Sequence, residues 1–173
     1  MYITLTNEDI ELATKIAAQR NQSQRAAGRP DGLVKGSSLG RDLQGALSEL
    51  AVSRALKLPW SGSWLPISTW DKWKHKGNDV GKLEIRSTDR PDGRLILHPT
   101  DKDLSPYLLV LSTAHPEYQL VGWIYGEEGK DPKYWRDNVP RPCFMVPQEQ
   151  LRSIDSLVNI IETLDNGDDL VVK

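Results

Sequence analysis

Residues 77–88, Gly-Asn-Asp-Val-Gly-Lys-Leu-Glu-Ile-Arg-Ser-Thr, hold two carboxylates and a guanidinium at spacings that can do chemistry. Gly81-Lys82 suits a two-residue hairpin turn, because glycine at the first central position is what a type II′ turn requires. Such a turn pairs Val80 with Leu83 and sets Asp79 across from Glu84, with β-carbons about 5 Å apart on one face. Two carboxylates so close repel unless a positive charge sits between them. A Mg²⁺ or Mn²⁺ ion, bound by a few hard oxygens and completed by water and substrate phosphate, answers that need. Strand alternation puts Arg86 on the face of Glu84, where its guanidinium can hold a phosphate or a developing negative charge. Val80, Leu83 and Ile85 fall out of phase with the charged residues and are expected in the core. The same spacing also suits an exposed hairpin whose Asp, Glu and Arg simply face solvent.

A glutamate lies at the centre of an upstream helical segment, Glu49 within Gly45-Ala-Leu-Ser-Glu-Leu-Ala-Val52. A helix with a central glutamate, then Asp79, then the acid-x-basic triplet Glu84-Ile85-Arg86, resembles the PD-(D/E)XK nuclease superfamily over roughly residues 40–126. The resemblance implies a restriction-endonuclease-like mixed central β-sheet flanked by helices. It implies that Asp79 and Glu84 ligate the metal, with the Ile85 carbonyl as a further ligand and Glu49 completing or orienting the shell. Arg86 departs from the pattern, which has lysine there. Lysine can shed a proton and help activate water, whereas arginine stays charged and is a poor base. Lys82 sits at the turn, which does not suit it as a substitute. The implied activity is divalent-metal-dependent hydrolysis of DNA phosphodiester bonds by a small phage or prokaryotic protein, with Glu49 orienting the water. Two other readings stand beside it. One is a nucleic-acid-binding or assembly protein that keeps the nuclease fold without turnover, for which Arg86 speaks. The other is a protein-interaction domain that uses the tryptophans.

The elements that must position these residues are legible from periodicity. Thr6 and Asp9 resemble a capping box opening a helix that runs to about Ala27, before the break at 28–32. Six basic residues (Lys15, Arg20, Arg25, Arg29, Lys35 and Arg41) mark residues 15–41 as the one locally basic stretch, either a solvated face or a phosphate contact. A second helix is expected from Leu43 to about Leu58, ended by Pro59, its small residues allowing close approach to a sheet. An irregular segment with Trp60, Trp64, Trp70 and Trp73 beside Lys72, Lys74 and Lys76 follows, suited to core packing or to stacking on unpaired bases. Residues 77–88, 94–98, 107–113 and 118–126 read as strands, and the apolar middle of 107–113 marks a central strand buried on both faces. A loop over 126–142, a last helix over 151–164 and an acidic tail complete the chain. Helix, helix, strands in succession and helix indicate an α/β (α+β) fold with helices packed on a mixed sheet.

Composition narrows the rest. A chain of 173 residues, 38% hydrophobic and 27% charged, is expected to form one globular domain. Within it we expect an N-terminal helix and basic loop (1–40), a core (41–147) and a C-terminal helix with the acidic tail (148–173). The net charge of −2 advertises no global attraction to nucleic acid, although a local groove can still be basic. The single cysteine, Cys143, excludes an internal disulfide and a cysteine-cage zinc site, and reads as a buried thiol. No apolar run suits a membrane span and no signal core follows Met1, so a cytoplasmic location, in a bacterium or a phage-infected host, is expected. No phosphate loop or dinucleotide fingerprint is present. Among weaker candidates, Asp101 and Asp103 after His98 read as a turn more readily than as metal ligands. Thr88 shares the active face and Ser87 the core parity. Trp123 and Tyr125 suit packing, and His75 and His115 are isolated surface residues.

Overall fold

The computed structural model describes residues 1–26, 38–60, 62 and 78–165. Strand β1 (Tyr2–Thr4) leads into helix α1 (Asn7–Ala26) and helix α2 (Ser38–Leu56). Strands β2 (Glu84–Thr88), β3 (Leu95–Leu97), β4 (Pro106–Ala114) and β5 (Glu117–Tyr125) follow. A short helix α3 (Gly126–Gly129), a 3-10 turn (Pro132–Tyr134), strands β6 (Trp135–Arg136) and β7 (Cys143–Val146), a second 3-10 turn (Gln148–Gln150) and helix α4 (Ile154–Asp165) complete the order.

The protein is mixed α/β, with two sheets where the sequence suggests one. A four-stranded sheet runs β1-β5-β4-β2, with β2 parallel to β4 and the other pairs antiparallel. A three-stranded antiparallel sheet runs β3-β7-β6. The central strand β4 explains the layering. Leu108 and Val110 face a core built with Ala13, Ala17, Leu50, Ala51, Val52 and Leu157 of the helices. Tyr107 and Leu109, one residue out of phase, face a second core with Leu95, Leu97 and Val146 of the smaller sheet. Helices, mixed sheet and small sheet therefore stack as three layers, and β4 is buried on both faces as its apolar run predicts. A register shift in the β4–β5 pairing leaves Val121 without a partner opposite and keeps Leu120 and Trp123 together on the helical side.

Several boundaries differ from those expected. Helix α2 starts at Ser38, not Leu43, and α4 starts at Ile154, not Leu151. Within the expected strand 77–88, the described residues 78–88 are not one strand: Val80 and Leu83 form a single antiparallel bridge and regular pairing begins at Glu84. Strand β1 is not evident from the sequence because three residues carry too little periodicity, and β6 lies inside the expected loop. The Thr6–Asp9 capping box forms, with Thr6 N–H donating to Asp9 Oδ2 and Asp9 N–H to Thr6 Oγ1, both at 3.2 Å. Arg54 of α2 also donates to Asp9 at 2.8 Å, tying the start of α1 to its neighbour. No helix among the described residues is long and apolar enough to cross a membrane. Trp64, Trp70, Trp73, Lys72, Lys74, Lys76 and His75 lie outside the described residues, as do Arg29, Lys35 and the acidic tail.

Candidate functional site

The turn at Gly81-Lys82 closes as its residues predict. Gly81 has φ +55° while Lys82 keeps a negative φ, the combination of a type II′ turn. Leu83 N–H donates to Val80 O at 2.8 Å, while Val80 N–H and Asp79 N–H both donate to Leu83 O at 3.2 and 3.0 Å, a bulge that sets Asp79 beside Leu83 and not directly across from Glu84 as the spacing suggests. Val80 and Leu83 are fully buried and Ile85 nearly so, which turns the alternate residues Glu84 and Arg86 away from the helical core. Asp79 Oδ2 accepts a hydrogen bond from Ile85 N–H at 2.8 Å, so its side chain bends back over the start of β2. Burial raises the Asp79 carboxyl to about 7, helped by the charges of Glu49 and Glu84 and opposed by the Ile85 hydrogen bond and by Arg86. Glu49, Asp79, Glu84 and Arg86 therefore share one electrostatic neighbourhood.

Glu49 enters it from α2. Residues 46–53 of that helix are all buried, because alanines and serines let it lie close to its neighbours. A buried carboxylate needs compensation, and α1 supplies it. Arg20 Nη1 and Nη2 donate to Glu49 Oε1 and Oε2 at 2.8 and 2.7 Å, a bidentate fork. Trp60 Nε1 adds a bond to Oε2 at 2.8 Å. Burial alone would lower the Arg20 pKa, but the bonds from Glu49 and the charge of Asp79 outweigh it and leave it raised. Of the basic stretch in α1, Arg20 is thus turned inward to the carboxylates, and Trp60 is a hydrogen-bond donor at the site.

The remaining partners come from the segment between β3 and β4. Lys102 Nζ donates to Glu84 Oε1 and to Asn78 Oδ1, both at 2.9 Å. Arg86 Nη2 donates to Asp101 Oδ2 at 3.0 Å and Nη1 to Ile85 O at 3.3 Å, with the guanidinium carbon 4.9 Å from the centroid of the Tyr107 ring. Tyr107 OH accepts from Lys102 N–H at 2.9 Å, and burial together with Asp101 and Glu84 pushes this phenol up to about 12. The segment is gripped from the far side by α3. Glu127 N–H donates to Asp103 O at 2.9 Å, Lys130 Nζ donates to Asp101 O at 2.7 Å, and Lys130 also pairs with Asp103. Asp101 and Asp103 hold cations of the chain itself, and Asp101 also accepts from His98 N–H at 2.9 Å in a turn.

The expected residues Glu49, Asp79, Glu84, Arg86 and Ile85 are brought together. Arg20, Trp60, Asn78, Asp101, Lys102 and Tyr107 join them, and periodicity alone gave no sign of this. Only the excess of local positive charge around Arg20 was a usable hint. Among the described residues, no three carboxylate, histidine or cysteine side chains come close enough together to hold a metal ion. Cys143 is buried and its thiol raised by burial, Trp123 is fully buried, and His115 is exposed with its ring 2.9 Å from Tyr118 OH. Thr88 Oγ1 accepts from Arg90 N–H at 3.2 Å, which organises a turn and leaves its own O–H able to donate. Comparisons with protein-family models, with curated proteins and with solved structures found no match.

Proposed function

We propose that the protein is a divalent-metal-dependent nuclease that hydrolyses phosphodiester bonds of DNA at the Asp79–Glu84 hairpin, on a restriction-endonuclease-like scaffold. One observation carries the reading. In the cluster of Arg20, Glu49, Asp79, Glu84, Arg86, Asp101 and Lys102 the acids outnumber the bases by one, and the surplus falls on Asp79, whose carboxyl rises to about 7. One carboxylate without a matching cation is what a bound cation would balance.

The donor set fits Mg²⁺ or Mn²⁺ in part. Asp79, Glu84 and the Ile85 carbonyl offer hard oxygens, and Mg²⁺ typically takes one or two carboxylates with water and substrate completing its shell. Glu49 does not fit as a ligand, because Arg20 and Trp60 already occupy both of its oxygens. Its role is indirect: it fixes Arg20 and raises the Asp79 carboxyl. A bound ion would supply polarisation of a phosphoryl oxygen and a lowered pKa for water. Asp79 would have to be deprotonated to hold such an ion. Lys102, hydrogen-bonded to Glu84, supplies the lysine that position 86 lacks and would act as the proton donor to the leaving oxygen, while Arg86 keeps its charge beside the reacting phosphate.

The test is nicking of plasmid and cleavage of single-stranded DNA with Mn²⁺, alongside Mn²⁺ titration followed by tryptophan fluorescence and melting temperature. Glu84→Ala should abolish both cleavage and the Mn²⁺-induced shift. Lys102→Arg should leave the shift and reduce the rate by about 10²–10⁴, the usual worth of a proton-transfer group. A second reading, a nucleic-acid-binding protein without turnover, is favoured by the ion pairs that already neutralise Glu49, Glu84 and Asp101. Metal binding without cleavage under any divalent ion would select it.

A further inference from the structure

Beside the carboxylates, on the far side of Arg86, a cleft of about 460 Å³ opens between β2 and the turn that follows it. Its walls carry Arg86, Arg90 and Arg94 with Thr88 and the backbone of Ser87, and Ile96 and Met145 add apolar surface. Asp92 is the one acid in the lining, and it pairs with Arg90 at 3.3 Å, both side chains being about three-quarters exposed. With Arg86 paired to Asp101 and Arg90 to Asp92, Arg94 leaves the cleft with a positive charge in excess on a protein whose net charge is −2.

The turn is held in place rather than left to solvent. Arg90 N–H donates to Thr88 Oγ1 at 3.2 Å, and Gly93 N–H donates to Arg90 O at 3.0 Å. From beyond β7, Gln148 Nε2 donates to the carbonyls of Pro91 and Gly93 at 2.9 and 2.8 Å. These bonds fix the backbone that carries Arg90 and Arg94. Along β2, Arg86 and Thr88 stand about 6.6 Å apart, close to the separation of successive phosphates in an extended strand. Arginine and hydroxyl side chains are the usual partners of backbone phosphates. Ile96 is 38% exposed among these charges, an apolar surface that a sugar or an unpaired base can cover.

We infer that this cleft seats a single-stranded polynucleotide segment leading away from the Asp79–Glu84 hairpin, with its phosphates on Arg90, Arg94 and Arg86 and its sugars or bases against Ile96 and Met145. The choice of a polynucleotide as the anion rests on the nuclease reading of the neighbouring carboxylates. A paired duplex presents phosphates but no free base faces, so it uses only half of this lining.

The test is fluorescence anisotropy of labelled single-stranded and duplex oligonucleotides of one sequence with the full chain in EDTA, over a salt series. Wild type should prefer the single strand. The double variant Arg90→Ala/Arg94→Ala should bind it at least tenfold more weakly at ~0.1 M salt, with the slope of log affinity against log salt reduced by about 1.4, the loss of two phosphate contacts to a single strand. Its melting temperature should match wild type, since both side chains are exposed. An unchanged affinity and slope in the double variant overturns the inference, and so does tighter binding of the duplex. Competition by a mononucleotide as effective as the strand overturns it too, because the cleft would then serve a single phosphate. Cleavage with Mn²⁺ is scored separately. A wild type that cuts DNA while the double variant binds normally sinks the cleft and spares the nuclease. Arginine-dependent strand binding without cleavage does the reverse.

Discussion

In the proposed nuclease Asp79 is the residue on which the chemistry turns, and its protonation is open to measurement. Its folded pKa of about 7 lies above the ordinary 3.8, so between these values the folded protein keeps a proton that the unfolded chain has lost. Stability from this group is therefore greatest at low pH and falls by ~1.4 kcal/mol per pH unit across that window. Asp79→Asn should remove this component, so that the variant gains on wild type as pH rises from 4 to 7 in urea-unfolding series. The same proton must leave for a cation to bind. Mn²⁺ affinity should accordingly rise through about pH 7, with proton uptake by the buffer in calorimetry, and Asp79→Asn should bind no Mn²⁺. An affinity flat from pH 5.5 to 8 would remove Asp79 from the metal reading.

At the scale of elements, two contacts deliver the side chains. The first is the Arg20–Glu49 pair between α1 and α2, with the two side chains only 13% and 10% exposed. Removing one partner leaves a buried charge, and Arg20→Ala should cost about 3–5 kcal/mol by denaturant unfolding. Replacing both with methionine should cost much less, because no charge then remains unpaired. Equal losses in the single and double variants would show that packing, not charge, holds the two helices there. The second contact is α3 against the segment bearing Lys102. A β-carbon added at Gly126 would lie 2.0 Å from Lys102 O and 3.1 Å from Asp103 O, both backbone atoms. Gly126→Ala must therefore displace that segment and with it the ammonium on Glu84. Cleavage should fall about tenfold or more by the logic of misplaced catalytic groups, with Mn²⁺ binding retained. Full activity in a folded Gly126→Ala protein would show that Lys102 has no part in turnover.

For the whole molecule, β4 is the shared wall of two cores. Leu108 faces the helices and Leu109 the small sheet, each almost wholly buried. Truncation of either to alanine should cost about 2–5 kcal/mol. Because one strand serves both layers, far-UV and near-UV circular dichroism should report one coincident transition in each variant. Separate transitions, with Leu109→Ala loosening only the small sheet, would show that the layers are independent. The small sheet matters to the site because Ile96 O, on β3, accepts from Arg86 Nε at 3.2 Å.

Local chemistry wrote much of this protein plainly. Gly81 at a turn that needs positive φ, the capping box at Thr6, the apolar run of β4 and the alternation of Val80, Leu83 and Ile85 each act through near neighbours. Their outcome, a hairpin carrying Asp79 and Glu84 on a mixed α/β frame, was readable from residue types and spacing. The second sheet was not, because two to four residues per strand leave too short a pattern to separate from a loop. Nor were Lys102, Arg20 or Tyr107, which reach the carboxylates from segments 18 to 29 residues distant in the chain along the pairs Lys102–Glu84 and Arg20–Glu49. Which cation answers a buried acid depends on where helices and loops come to rest against one another. Packing decides that, and with it the proton on Asp79.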